Sequence, residues 1–162
     1  MGVTVVLLDT HAWVWSLFAS SSLSDGARKA IETAQTVLVA PCSFHEITRK
    51  HRLGKWPEVG DVVERLPQLL RAQGGAVAPY TATMAMLSGG MDWSHRDPFD
   101  RMIAATAIEM ACPVISRDSA FDEIEGAVRL AWPRLVDPGE ARISLAACRC
   151  RQRRRCTKRG AT

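Results

Sequence analysis

Short, unbroken apolar runs alternate with helical stretches along the body of this chain, and that alternation constrains its fold more than any other feature. "VTVVLLD" (residues 3–9), "TVLVA" (36–40), "AVAPY", "CPVIS" (112–116) and "AVRLAW" are brief and bounded by turn or helix signals. The clearest of them are continuously apolar rather than alternating, which suits strands buried on both faces of a parallel sheet. Between them, "THAWVWSLF", "LSDGARKAIETAQ", "PCSFHEITRKHRLG", "DVVERLPQLLRAQGG", "TATMAMLSGG" and the segment opened by Asp97 and Pro98 read as helices. Ser24 is the predicted N-cap of the second, and Gly54 the C-terminal stop of the third. Pro67 is an interior irregularity in the fourth. "SAFDEI" reads as a turn or short helix, and no internal repeat is present. Strand alternating with helix predicts an α/β fold with a central, mostly parallel sheet.

The length of 162 residues suits one domain, and 47% apolar residues suffice for a sizeable core. No apolar run approaches the roughly 18 residues of a membrane span. The N-terminus carries neither a secretory leader nor a myristoylation signal, so the expected location is cytoplasmic. The net charge of +4 conceals two regions. Residues 142–162 hold eight Arg/Lys and no acid, which leaves 21 − 8 = 13 bases against 17 acids elsewhere, a net of −4. Pro138 and Gly139 mark the expected boundary between a domain over residues 1–137 and a basic, disordered extension over 138–162. Cys148, Cys150 and Cys156 in that extension number three, without a histidine, and do not make a zinc site. Cys42 and Cys112 sit among apolar neighbours and read as buried thiols.

The acids carry the chemistry. Asp9 closes the first strand, Glu46 and Asp100 fall in the first turns of their helices, and Asp118 follows "PVIS". In a parallel α/β sheet these positions share one edge, where ligands bind. Each acid has a simpler reading beside this one. Ser43 to Glu46 matches a capping box, and Asp97, Pro98 and Asp100 match an N-cap, N1 and N3. Asp118 can cap the turn before "SAFDEI". Asp9 alone has little structural use without a partner. Two carboxylates about 5 Å apart repel by roughly 3 kcal/mol at an effective dielectric of 20. Four together require protonation, divalent cations or basic partners, for which Arg96, Arg101 and Arg117 are the nearest in sequence. Oxygen donors and water favour Mg²⁺ or Mn²⁺.

"LLDTHAWVW", "SFHEI", "HRDPFDRMIAATA" and "VISRD" stand in the order and spacing of the PIN-domain ribonucleases, and the chain most resembles their VapC-type toxins over about residues 3–135. The resemblance implies a three-layer α/β/α domain and a metal-dependent endoribonuclease acting as the toxin of a toxin–antitoxin pair. Its acidic positions map onto Asp9, Glu46, Asp100 and Asp118 as catalytic and metal-binding residues. Asp97 then starts the helix while Asp100 serves the site, and Ser116 supports a carboxylate by a hydrogen bond. Thr10 and His11 are carried along by "LLDTH", His11 as a positional residue, and Asp122 is a fifth acid to consider. The family further implies an RNA substrate, 5′-phosphate and 3′-hydroxyl products, a small antitoxin partner and a homodimer. Arg49, Lys50, Arg52 and Lys55 form a candidate RNA-binding rim, equally readable as a solvated helix end, and the basic tail could add RNA affinity.

Two rival functions are weighed against this. A catalytically silent PIN-fold binding module, its acids neutralised by a partner's arginine, has no need of all four carboxylates. A receiver or phosphatase domain also places an aspartate after its first strand. Phosphatases of that kind need a second aspartate where this chain has His11, and receivers need a late lysine that "VISRD" lacks.

Overall fold

The computed structural model describes residues 5–130. In chain order these form β1 (Val5–Leu8), α1 (Thr10–Leu17), α2 (Asp25–Thr33), β2 (Thr36–Val39), α3 (Pro41–Arg52), a 3₁₀ segment (Pro57–Arg65) and α4 (Leu66–Ala72). They continue with β3 (Gly75–Val77), α5 (Ala82–Gly90), α6 (Pro98–Met110), β4 (Val114–Ile115), a second 3₁₀ turn (Ser119–Asp122) and β5 (Arg129–Leu130). The five strands form one sheet in the order β3-β2-β1-β4-β5. Every pairing is parallel, so the sheet is more uniform than the mostly parallel one expected. The expected domain boundary near residue 137 and the basic extension lie outside the described residues. Among the described residues, no helix is long and apolar enough to cross a membrane.

The sheet is buried on both faces, as its apolar runs require. Val6, Leu8, Val39 and Ile115 pack with Trp13 and Leu70 into one cluster. Leu7, Leu38 and Val114 point the other way, against Ile103, Ala104 and Ala107 of α6. This is the period-two alternation of a strand, with both sides covered by helices in a three-layer α/β/α sandwich. Fully burying a leucine or valine on either face contributes roughly 1.5–3 kcal/mol. Ala104, Ala105 and Ala107 of α6 are buried, and their small side chains allow its backbone to approach the sheet.

Local signals set most helix ends. Ser24 caps α2 by accepting the Ala27 N–H, and Asp97 caps α6 by accepting those of Phe99 and Asp100. Leu53 closes α3, and Gly54 follows at φ +70°, a conformation glycine adopts without penalty. Pro67 ceases to be an irregularity, because the stretch is two segments. The 3₁₀ segment ends at Arg65, and Pro67 lies in the first turn of α4, where a missing N–H costs nothing.

One expectation is overturned. Ser43 is not an N-cap and Glu46 is not at N3. Helix α3 begins at Pro41 with Ala40 as its cap. Proline pre-sets the helical φ at N1 and holds the residue before it in extended backbone, so the helix starts three residues earlier than the Ser-to-Glu spacing implies. Glu46 therefore lies in the second turn, and the Ser43 hydroxyl is free to meet α1.

Candidate active site

The strand order reverses between β1 and β4, and a crevice opens outside the C-terminal ends of strands at such a switch point. Asp9 leaves β1 there as the N-cap of α1, its Oδ1 accepting the Ala12 N–H at 2.6 Å. Its backbone N–H donates to the Ile115 carbonyl at 3.1 Å. Ser116, leaving β4 and wholly buried, donates its hydroxyl to Asp9 Oδ2 and accepts the Asp118 N–H at 3.0 Å. The expected Ser116–carboxylate hydrogen bond is thus present, and it links Asp9 to the loop carrying Asp118. Asp118 is exposed and also caps the 3₁₀ turn, with Oδ1 accepting the Ala120 N–H at 2.8 Å.

Asp100 arrives from the first turn of α6, placed by the Asp97 cap and Pro98. Glu46 arrives from α3, 6% exposed. The Thr10 hydroxyl donates to Ser43 Oγ at 3.0 Å, a buried tie between α1 and α3. Three side chains can offer ligand atoms within 4.8 Å of one another: His95, Asp100 and Asp118. Asp9 and Asp100 repel each other, and Asp100 and Glu46 do likewise. Among the described residues, two of the four acids singled out in the sequence, Asp100 and Asp118, thus come together with His95, while Asp9 and Glu46 lie outside that group and act on Asp100 through their charge.

Burial there penalises negative charge. It pushes the Asp9 carboxyl up to about 6, against the hydrogen bonds from Ser116 and Ala12. It pushes Asp100 to about 6 as well, opposed chiefly by the hydrogen bond from His95 and reinforced by Asp97 and Glu46. Burial also raises the Cys42 thiol to about 12, with Glu46 adding to the rise. Cys42 is thus a neutral packing residue, as its neighbours in sequence predict, and Cys112 is buried in the same way.

The counter-charges are not the arginines expected. Arg101 donates to the carbonyls of Ser88, Met91, Trp93 and His95, binding the end of α5 and its following loop to α6. Arg96 and Arg117 are exposed. Instead Lys50 Nζ lies 2.6 Å from Glu46 Oε1, one helical turn along, and His95 Nε2 lies 2.6 Å from Asp100 Oδ2. Lys50 of the candidate rim is therefore turned toward the acids, while Arg49, Arg52 and Lys55 are exposed. Asp122 does not join the cluster; it pairs with Arg129. His11 is exposed and packs edge-on to Trp56 with ring centroids 5.1 Å apart.

Sequence reasoning missed His95. Its signal was local: it stands five residues before Asp100, across the Asp97–Pro98 cap that turns the chain back on itself. Its ring stacks on Trp93 at 4.8 Å, which fixes its plane.

The donor set fits a hard divalent cation. Among the described residues it consists of the Asp100 and Asp118 carboxylates with the His95 imidazole, and Asp100 is penalised by burial rather than satisfied by arginine.

The PIN-domain family model matches residues 6–127. The chain is 31% identical over 119 residues to Ribonuclease VapC22 of Mycobacterium tuberculosis, covering 72% of this chain and 88% of that protein. Its fold is similar to that of VapBC2 from Rickettsia felis, solved bound to a DNA fragment from their promoter. That likeness has a TM-score of 0.59 at 15% identity and spans 80% of this chain and 99% of that one. FitAB bound to an IR36 DNA fragment is similar with a TM-score of 0.54 at 18% identity, over 82% of this chain and 99% of that one. A family match across nearly all the described residues, with 31% identity to a relative covered over most of its length and an all-parallel sheet of the same fold, establishes that this chain belongs to the PIN-domain family.

Proposed function

We propose that this protein is a metal-dependent endoribonuclease, the toxin of a toxin–antitoxin pair, and that Asp9, Glu46, Asp100 and Asp118 form its catalytic site. The observation that supports the reading is that Asp100 and Asp118 meet His95 with ligand atoms within 4.8 Å, beside Asp9, and that burial disfavours the charge of Asp9 and Asp100. Its similarity to a protein named as a ribonuclease supports the same activity. Bound Mg²⁺ or Mn²⁺ would lower the pKa of a coordinated water and stabilise charge growing on the phosphate.

The chain's own residues prepare that chemistry. The Ala12 N–H and the Ser116 hydroxyl hold both oxygens of Asp9 in place. Ser116 fixes the backbone of Asp118 through the same hydroxyl. Lys50 steadies Glu46, and His95 steadies Asp100 at Oδ2. A site carboxylate accepts the proton released by the attacking water. Arg49, Arg52 and Lys55 on the rim steer the RNA backbone toward an edge that would otherwise repel it. A small antitoxin protein is the proposed partner and a homodimer the proposed assembly, acting in the cytoplasm; the fold shared with the VapBC2 and FitAB assemblies is consistent with a protein partner.

The test is cleavage of end-labelled RNA by partner-free protein. Wild type with Mn²⁺ or Mg²⁺ should cut, chelation should stop it, and Asp100→Asn should slow it by about 10²-fold or more in a folded protein. An Asp100→Asn variant with full activity removes that residue from the mechanism. A wild-type protein that never cuts under any divalent ion returns the silent binding module as the better reading.

A further inference from the structure

A cluster of rings lies beside the carboxylates, and the proposed chemistry does not use it. His11 follows Asp9 by two residues and packs against Trp56 at 5.1 Å with planes at 88°, and against Trp15 at 5.7 Å. His11 and Trp15 lie four residues apart and so share one face of α1. Trp56 is set by the end of α3, where His51 Nδ1 lies 3.3 Å from the Trp56 carbonyl oxygen. Lys50 joins the cluster to the site, because its Nζ is both 2.6 Å from Glu46 Oε1 and 4.4 Å from the centre of the Trp56 ring. His11 is exposed, and Trp15 and Trp56 are partly so.

We infer that this His11–Trp15–Trp56 surface is a stacking platform for an unpaired base of the RNA strand whose phosphate lies at the carboxylates. The inference rests on the nuclease reading for the position of the phosphate. Three features favour a nucleotide over the apolar face of a protein helix. The rings are contiguous with the acidic site through Asp9 and Glu46, one on each side. Lys50 covers part of Trp56 while paired with Glu46, so the exposed remainder of that ring is tied to the carboxylate edge rather than to an apolar neighbour. The flanking helix end is Arg49, Lys50, His51 and Arg52, with Lys55 beyond, which suits a polyanion rather than an apolar partner. Aromatic rings take bases that are splayed out of a strand, whereas a duplex keeps its bases stacked within itself.

The experiment is fluorescence anisotropy with a labelled ten-nucleotide oligouridine and a ten-base-pair RNA duplex, at low salt with EDTA so that cleavage plays no part. Wild type, His11→Ala, Trp56→Leu and Trp56→Phe are compared, each checked for folding by circular dichroism. Trp56→Leu should weaken oligouridine binding by about 5- to 150-fold, the loss of one stacked base. Trp56→Phe, which keeps an aromatic face, should recover most of it. His11→Ala should weaken the single strand too, and duplex binding should not change. Wild-type affinity for oligouridine in both Trp56→Leu and His11→Ala overturns the inference and leaves the surface to a protein partner. Equal losses on duplex and single strand, or no recovery in folded Trp56→Phe, overturn it as well. A cleavage assay in Mn²⁺ separates the two readings. Protein that binds oligouridine through Trp56 but never cuts loses the nuclease reading alone; protein that cuts while Trp56→Leu binds normally loses the platform alone.

Discussion

Asp9→Asn should make the metal-free protein more stable while destroying its proposed function. Asp9 is 5% exposed, and burial raises its carboxyl from the usual 3.8 to about 6. The folded state therefore holds a proton more tightly than the unfolded chain. Its stability falls as pH rises from about 4 to about 6 and stays lower above that window. A rise of about two pKa units is worth roughly 3 kcal/mol at 1.36 kcal/mol per unit. Asparagine is nearly isosteric, keeps an oxygen for the Ala12 N–H and can offer its amide to the Ser116 hydroxyl. It removes the charge and little else. At pH 8 in EDTA the variant should gain about 1–3 kcal/mol, raising Tm by roughly 2–10 °C. At pH 4, where the wild-type side chain is already protonated, the two should melt together. Thermal denaturation followed by circular dichroism across pH 4–8 measures the difference directly. A variant less stable than wild type at pH 8, or a gap that does not change with pH, refutes the claim that charge at Asp9 opposes folding.

Further outcomes follow from the contacts around the acids. Ser116→Ala strips Asp9 Oδ2 and the Asp118 N–H of a shared partner. It should cost about 1–3 kcal/mol in urea denaturation and lower RNA cleavage by roughly 10- to 100-fold; unchanged values would show the hydroxyl to be incidental. Lys50→Met leaves Glu46, whose side chain is 8% exposed, without its cation. It should destabilise metal-free protein by about 1–3 kcal/mol, less than the ~3–5 of a fully buried pair because Lys50 reaches solvent. Saturating Mn²⁺ should shrink that penalty, and an equal penalty with and without the ion would contradict the shared site.

The features legible in the sequence were those written in local chemistry. Continuous apolar runs announced a sheet buried on both faces, and Asp97–Pro98 announced the start of α6. Asp9 stood out because a carboxylate ending a buried strand needs a partner, and Ser116 is that partner. The phase of α3 was misread because two start signals, Pro41 and Ser43, lie two residues apart, and proline's fixed φ prevails over a serine cap. Counter-charges were harder to foresee. Arginines adjacent in sequence were the obvious candidates, yet Arg101 is engaged by four carbonyls, one at the end of α5 and three in the loop after it. The charge comes instead from Lys50, one turn along α3, and a hydrogen-bonding imidazole, His95, reaches Asp100 across a capped turn. Both distances are set by backbone geometry rather than by adjacency. Asp122 looked like another site acid until the return of β5 brought Arg129 to it.

The central claim is that acids from four parts of the chain create a place for a divalent ion. Calorimetric titration of Mn²⁺ into metal-free protein at pH 7.5 tests it most directly. Saturable binding to wild type is expected, weakened about tenfold or more by Asp9→Asn and by Asp100→Asn in folded protein. No binding to wild type, or an affinity indifferent to both substitutions, would contradict it.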